Sequence, residues 1–351
     1  MARALGRRAE GYAANVILLN GPTKPRFPLS LIHPLGPIFR HLPLSLRRHL
    51  LYLRAHQRWG DFRKPRLWNE KIQWRILNDR RALLAFTCDK LATRQYIASL
   101  AAAANSQIKI PEVYWVGRDV GELEQIANSL PPRWVLKPNH SSGRTALLDS
   151  SATPVDWTRL IAAGREWMRR DEEIDVFGHW AYTRARPLLF AQQRIGDGEG
   201  SPPDIRLLCS RGRILLAFVT SDYQTDHYKI SFYGEDLASR IRWGHPYETS
   251  NETRSAVDEL RPETRAAIIA LAKEASAPFD SIRIDGLFFN GRFHFLEFTS
   301  YPTSGLGKIG HQANVQGGAA WQLPDLTAPD PREAEWRALL EGVPKGTLQH
   351  T

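Results

Sequence analysis

Two acids set inside strands otherwise made of apolar and aromatic residues mark where this chain can do chemistry. They are Asp285 and Glu297, in Arg283-Ile284-Asp285-Gly286-Leu287-Phe288-Phe289-Asn290-Gly291-Arg292-Phe293-His294-Phe295-Leu296-Glu297-Phe298-Thr299. Acids in such surroundings need a cation. Asn290-Gly291 between two β-prone runs predicts a tight hairpin, so the acids lie on adjacent strands at similar distances from the turn. A strict two-residue loop pairs Asp285 with Leu296 and turns Glu297 to the other face. One shared metal therefore requires a one-residue offset, expected as a bulge with Gly291 in the left-handed region. Oxygen ligands without Cys or His select Mg²⁺ or Mn²⁺ over Zn²⁺. The alternative reading is a pair of strand ends reaching solvent.

A second candidate site handles anions. Lys137 ends the apolar run Trp134-Val135-Leu136-Lys137, and the loop Pro138-Asn139-His140-Ser141-Ser142-Gly143-Arg144 precedes the strand Thr145-Ala146-Leu147-Leu148. Small residues there let backbone N–H groups approach a nucleotide triphosphate closely. Lys137, His140, Ser141, Ser142 and Gly143 are the candidate contacts, in a loop that reads either as a plain turn or as a phosphate-covering flap. No Walker-type G-x-x-x-x-G-K-[ST] run occurs. Lys90, opening a helix in Asp89-Lys90-Leu91-Ala92-Thr93-Arg94, can add a second cation.

The elements that must position these residues read as a mixture of helices and strands. Helices are expected over residues 44–58, Trp68 to about Asn78, about Asp89 to Ala103, 156–170 and Thr264 to Ala275. Strands are expected at 108–111, 113–116, 134–137, 145–148, 188–195, 204–209 and 213–220, the last two joined by a turn at Arg211-Gly212. Residues 1–43 read as an extended arm, 44–130 as an N-terminal helical and αβ lobe, and 131–195 as a central lobe with the flap. Residues 196–322 then form a C-terminal lobe with the hairpin, and 323–351 a tail whose short helix is expected outside the core. The acidic run Asp171-Glu172-Glu173-Ile174-Asp175 follows Arg169-Arg170 without an apolar strand before it and reads as surface.

With 351 residues the chain can bury a substantial core in two or three lobes. Its hydrophobic fraction of 42% excludes disorder throughout. The two cysteines, Cys88 and Cys209, sit among apolar neighbours and argue for core thiols in a reducing compartment. No apolar run is long enough for a membrane span and no secretory leader is recognisable, which predicts a cytoplasmic protein. A net charge of +10 calls for an anionic partner. Arg40, Arg47, Arg48, Arg54 and Arg58, interleaved with Leu, Trp and Tyr, form either a solvated helix face or one that rests on the inner face of an anionic membrane.

Together these segments resemble the ATP-grasp enzymes, through Lys90 in its D-K segment, Lys137 in its V-x-K-P strand and the late Arg-Ile-Asp and Leu-Glu-x-x-x-x-Pro pair. They are most similar to the TupA-like branch, named for teichuronopeptide synthesis and found among bacterial surface-polysaccharide genes. Trp68-Asn69-Glu70-Lys71-Ile72-Gln73-Trp74, Trp134 to His140, Pro203-Asp204-Ile205-Arg206 and Glu297 to Gly305 carry that likeness over about residues 44–310. The resemblance implies an α+β ATP-grasp fold, with the nucleotide held between two α+β lobes that have antiparallel sheets. It places Lys90 and Lys137 on the phosphates and adenine against the strand Phe190 to Ile195, with Gln192, Gln193 and Ile195 as contacts. Asp285 and Glu297 would hold Mg²⁺, and Arg283 would stabilise the transferred phosphoryl group.

Two positions depart from the usual ligase pattern: Thr299 stands where ligases carry Asn, weakening the hold on a second metal, and Gln192 stands where the hinge often carries an acid. Asp204 is an alternative polar contact, or a turn residue. Ser304, Gly305 and Lys308 are placed to meet an acceptor carboxylate or acyl phosphate. His227, Lys229, Arg240, Arg242 and His245 read either as a basic pocket for an acidic sugar or as solvated loop residues. The expected activity is ligation of an amine donor to an acidic small-molecule or polysaccharide-linked substrate with ATP and Mg²⁺ or Mn²⁺. The alternatives are a sugar-hydroxyl kinase of the same fold and a non-catalytic nucleotide-sensing or nucleic-acid-binding protein, the last disfavoured by two acids and two lysines in this order.

Overall fold

The computed structural model describes residues 17–19, 39, 41–169, 176–197, 201–221, 229–245, 248–249 and 255–342. His227, the acidic run 171–175 and nearly all of the arm lie outside them. The strands are β1 (Ile17–Leu19), β2 (Ile108–Lys109), β3 (Val113–Gly117), β4 (Arg133–Pro138), β5 (Thr145–Asp149) and β6 (Leu189–Gln193). They continue with β7 (Asp204–Ser210), β8 (Arg213–Ser221), β9 (Lys229–Tyr233), β10 (Ile282–Phe289) and β11 (Arg292–Thr299). Two sheets result, ordered β1-β5-β4-β6-β3 and β2-β11-β10-β7-β8-β9. All pairings are antiparallel except that of β2 with β11.

Alternation along the strands decides which face is which. In the first sheet, Trp134, Leu136, Ala146, Leu148, Leu189 and Ala191 bury one face against the helices Val120–Gln125 and Trp157–Trp167. The residues between them point the other way, and register places Lys137 beside Phe190 and Val135 beside Gln192. In the second sheet, Ile205, Leu207, Ile282, Ile284, Phe293 and Phe295 pack on the helix Pro262–Ser276. Each such side chain contributes about 1.5–3 kcal/mol on burial. That core fixes strand orientation, and the polar residues of β7, β10 and β11 are thereby forced onto the opposite face.

The helices Leu44–His56 and Trp68–Asn78 form where expected. The helix expected from Asp89 to Ala103 is instead two pieces, Lys90–Ala98 and a short 3₁₀ turn at Ala101–Ala104, because Leu100 between them is extended. Two further corrections concern helices. Ala82–Thr87 is helical although its six residues are too short to show a period. The tail helix, Glu333–Glu341, is not outside the core: Trp336 is fully buried and stacks on Phe86 with ring centroids 5.3 Å apart. Arg332 lies over the Trp336 ring at 4.2 Å, and Leu339 and Leu340, one turn on, pack against the same core.

Candidate active site

Asp285 and Glu297 are direct cross-strand partners. Phe289 pairs with Arg292, so the turn is a strict two-residue loop, with Asn290 at φ 50° and Gly291 at φ 72°. The register then holds to Gly286–Phe295 and shifts, making Leu296 the extra residue. The predicted offset is therefore present, but at Leu296 and not at the turn. Gly286 lies next to the shift because the Phe293 ring crosses it, and an added Cβ there would come within 2.3 Å of that ring.

Asp285 is almost fully buried. Arg283 grips it with two N–H groups, Nε to Oδ1 and Nη2 to Oδ2, both 2.6 Å. Thr299 Oγ1 donates to Asp285 Oδ2 at 2.9 Å and accepts from Arg283 Nη2 at 3.1 Å. Burial pushes the Asp285 carboxyl up, but the adjacent Arg283 guanidinium outweighs it and holds the group below the usual carboxylate range. Among the described residues no three His, Cys, Asp or Glu side chains converge. The donor set is two carboxylates and one hydroxyl, which suits Mg²⁺, an ion that keeps several waters and takes phosphate oxygens as further ligands. The residues present fit that ion.

Register extends the site across the sheet. Glu297 on β11, Asp285 on β10, Arg206 on β7 and Phe218 on β8 form one row on one face. Arg206 donates to Asp204 Oδ2 at 2.8 Å, and Thr220 Oγ1 reaches the same oxygen at 3.3 Å, so Asp204 belongs to this face and is not a turn residue. Arg206 belongs to the Pro203–Arg206 segment but has no role legible from sequence. Its role depends on pairing with a strand about 80 residues away, which no local pattern encodes.

The loop 139–144, the candidate phosphate flap, joins β4 to the antiparallel β5. Its base is pinned: Asn139 Oδ1 accepts from Leu91 N at 2.8 Å, and Asn139 Nδ2 donates to the Arg186 carbonyl at 3.0 Å. Asp89 caps the helix that Lys90 opens and pairs with Arg186 at 2.7 Å. Lys90 Nζ donates to the Ser141 carbonyl in this loop and lies 3.7 Å from Glu297 Oε2, tying the loop to β11. His140 and Ser141 are buried, and Ser141 Oγ has no hydrogen-bond partner among the described residues. Gly143 has φ 75°, a conformation that favours glycine, and Ser142 beside it is exposed. Burial pushes the Lys137 ammonium down to about 8, with Glu297 pulling it up and Lys90 adding to the fall. Electrostatic coupling thus links Lys137 to both ends of the site.

At the hinge, Gln192 is buried and accepts from Arg94 Nη1 at 3.4 Å. Arg94 follows Lys90 by one helical turn on the same face, a spacing that could have revealed it. Burial lowers its guanidinium to about 10. Gln193 is exposed and accepts from Glu112 N at 3.3 Å, directed toward the neighbouring strand, while Ile195 is buried.

The expected substrate residues are scattered. Arg240 is held by Asp258 at 2.6 Å and lies over the Tyr233 ring, while exposed Arg242 donates to the Thr249 carbonyl at 3.1 Å. Lys229 is exposed at the start of β9, and Lys308 is exposed in a loop. Thr303, Ser304 and Gly305 form a left-handed turn, with φ of 48°, 57° and 64°. Arg48 donates to Ser304 Oγ at 3.1 Å and to the Ser304 carbonyl at 2.6 Å. His179 Nε2 lies 2.8 Å from Ser304 Oγ, and Gln73 Nε2 donates to the Gly305 carbonyl at 3.2 Å. Ser304 and Gly305 are thus clasped by the N-terminal helices a few residues beyond Thr299.

Among solved structures, the D-alanine–D-alanine ligase of Bacillus anthracis complexed with ATP is 14% identical, with 62% of this chain and 55% of that one covered and a TM-score of 0.34. Macrocyclase MdnC from Microcystis aeruginosa, bound with precursor peptide MdnA, is 13% identical over 69% of this chain and 62% of its own, with a TM-score of 0.37. The chain thus spans less than two thirds of each. D-cycloserine synthetase DcsG is 13% identical, covering 68% and 69%, with a TM-score of 0.33. Likenesses this distant say nothing about chemistry. A comparison with curated proteins finds no match. The sequence does match the family described as TupA-like ATPgrasp over residues 70–313, well over half its length, and these residues hold the flap, the hinge and the acidic hairpin. The chain belongs to the TupA-like ATP-grasp family.

Proposed function

We propose that this protein is an ATP-dependent carboxylate–amine ligase acting through an acyl phosphate, with an acidic cell-surface polysaccharide or its precursor as acceptor. The observation that carries the reading is the direct pairing of Asp285 with Glu297 beside Lys90, Lys137 and Arg283. Family membership supplies ATP as the nucleotide. When bound between Asp285, Glu297 and Thr299, Mg²⁺ would supply charge neutralisation at the phosphate oxygens. Lys90 and Lys137 would hold the phosphates, the flap would exclude water, and Arg283 would offset charge on the γ-phosphoryl group. A substrate carboxylate oxygen then attacks the γ-phosphorus and ADP leaves. The amine attacks the acyl carbon, and the carbon–oxygen bond to phosphate breaks to give an amide and inorganic phosphate.

Trapping the intermediate tests this. With ATP, Mg²⁺, a uronic-acid acceptor and hydroxylamine, the protein should form a hydroxamate, ADP and inorganic phosphate, and Arg283→Ala should suppress all three. A persistent sugar phosphate without free phosphate would replace the ligase by a kinase, and nucleotide binding without turnover across acceptors would leave only a sensor.

Lys137 gives a pH signature. In the free site its ammonium titrates near 8, and phosphates favour the charged form, so the site takes up a proton on binding ATP above that pH. Affinity should be nearly level below pH 7.5 and fall by about fivefold from pH 8 to 9. Lys137→Arg should flatten that fall, since guanidinium stays charged. Calorimetry across this range checks both, and a level wild-type profile would remove Lys137 from the phosphates.

A further inference from the structure

The helix Leu44–His56 buries Arg48, Leu51 and Tyr52 on one side. Its other side is also apolar: Leu46, Leu50 and Leu53, spaced by four and three residues, are 40%, 37% and 39% exposed. Trp59, 57% exposed, stacks on His49 of the same helix at 4.8 Å. Among the described residues these four are most of the exposed large hydrophobics, the others being Val315 and Leu326. An amphipathic surface helix normally turns leucines inward and charges outward. Here cations flank the outward leucines instead. Residues 44–60 contain no acid; Arg54 and Arg47, the latter donating to the Val176 carbonyl at 3.0 Å, border the stripe, and Arg63, Lys64 and Arg66 are exposed beyond Trp59 after the single acid Asp61. Arg58 is set apart, neutralised by Glu70 at 2.9 Å.

We infer that this face, Leu46–Leu50–Leu53–Trp59 with its basic border, docks on a membrane surface rich in anionic lipid. Aliphatic side chains and an indole enter the headgroup boundary while Arg and Lys side chains meet lipid phosphates, and both requirements are met within one helix and its following loop. A second copy of the chain fits less well, because a twofold contact would bring these cations against themselves. Nucleic acid offers cations a partner but gives three leucines none. The helix is also rigidly tied to the site, since Arg48 on its inner side holds Ser304 just beyond β11. Docking there does not depend on the ligase reading.

Co-sedimentation of the full chain with vesicles tests it. Binding to phosphatidylcholine containing about 30% phosphatidylglycerol should exceed binding to phosphatidylcholine alone at least about fivefold and weaken at high salt. The double variant Leu50→Glu, Leu53→Glu should lower that partition at least about tenfold. Trp59→Ala should lower it less, with ATP affinity and melting temperature kept by both. Equal binding to the two vesicle types, or no loss in the double variant, would overturn the inference. So would a fall in oligomeric state, or loss of RNA binding, in the double variant without any change in vesicle binding.

Discussion

Asp285→Asn and Glu297→Gln should each lower turnover by at least about 100-fold, equivalent to losing roughly 3 kcal/mol of transition-state stabilisation, while the fold is kept. The two changes act differently at one place. Asparagine at 285 keeps the shape but leaves Arg283, which now donates two 2.6 Å bonds to that carboxylate, without its anion. Glutamine at 297 disturbs the longer 3.7 Å approach of Lys90 and removes the charge that supports the Lys137 ammonium. If the acids serve a shared metal, both variants also need more Mg²⁺ for half-maximal rate. A loss confined to Asp285→Asn with unchanged Mg²⁺ dependence would mean that Asp285 merely neutralises Arg283. Full activity in either variant would end the metal assignment.

Much of this site was legible because hairpin chemistry is local. Asn290-Gly291 dictates a tight turn, and the need for two acids on one face then dictates an offset, so its existence follows from sequence while its place does not. Nothing around Leu296 announces an extra residue. The shift falls where Phe293 packs across Gly286, a matter of side-chain fit and not of turn propensity. Lys137 and its flap were readable as a strand followed by small polar residues. Arg206 was visible only as part of the Pro203–Arg206 segment and had no role, because β7 meets the acids only through the tertiary fold. The tail helix was misplaced for a different reason: Trp336, Leu339 and Leu340 have helical spacing and pack on the core, but the Pro- and acid-rich sequence around them reads as solvated.

Stability should hinge on Asp280, a residue the sequence leaves unremarkable. It accepts from Arg75 at 2.5 Å, from Arg81 at 2.6 Å and from the Trp321 indole at 2.8 Å, with Arg75 lying 4.4 Å over that indole. Arg75 also donates to the carbonyls of Ser281 at 2.9 Å and Ser300 at 3.1 Å, so the cluster fastens the helix Trp68–Asn78 to the segments flanking β10 and β11. Asp280→Asn strands the Arg75 charge in the interior and should cost about 3–5 kcal/mol, read as a lower urea midpoint at pH 7. Replacing both partners, Arg75→Met with Asp280→Leu, should cost less than the single change, since no buried charge of that pair is left uncompensated. Burial pushes the Asp280 carboxyl up, but Arg75 and Arg81 outweigh it and hold it below its ordinary value. Its contribution is therefore complete above the unfolded carboxylate range, near pH 4, and is lost as pH falls through the lower folded value. The gap between wild type and Asp280→Asn should accordingly be widest at neutral pH and narrow in acid. A gap that is absent at pH 7, or that widens below pH 4, would show that the ion pairs do not hold this junction together.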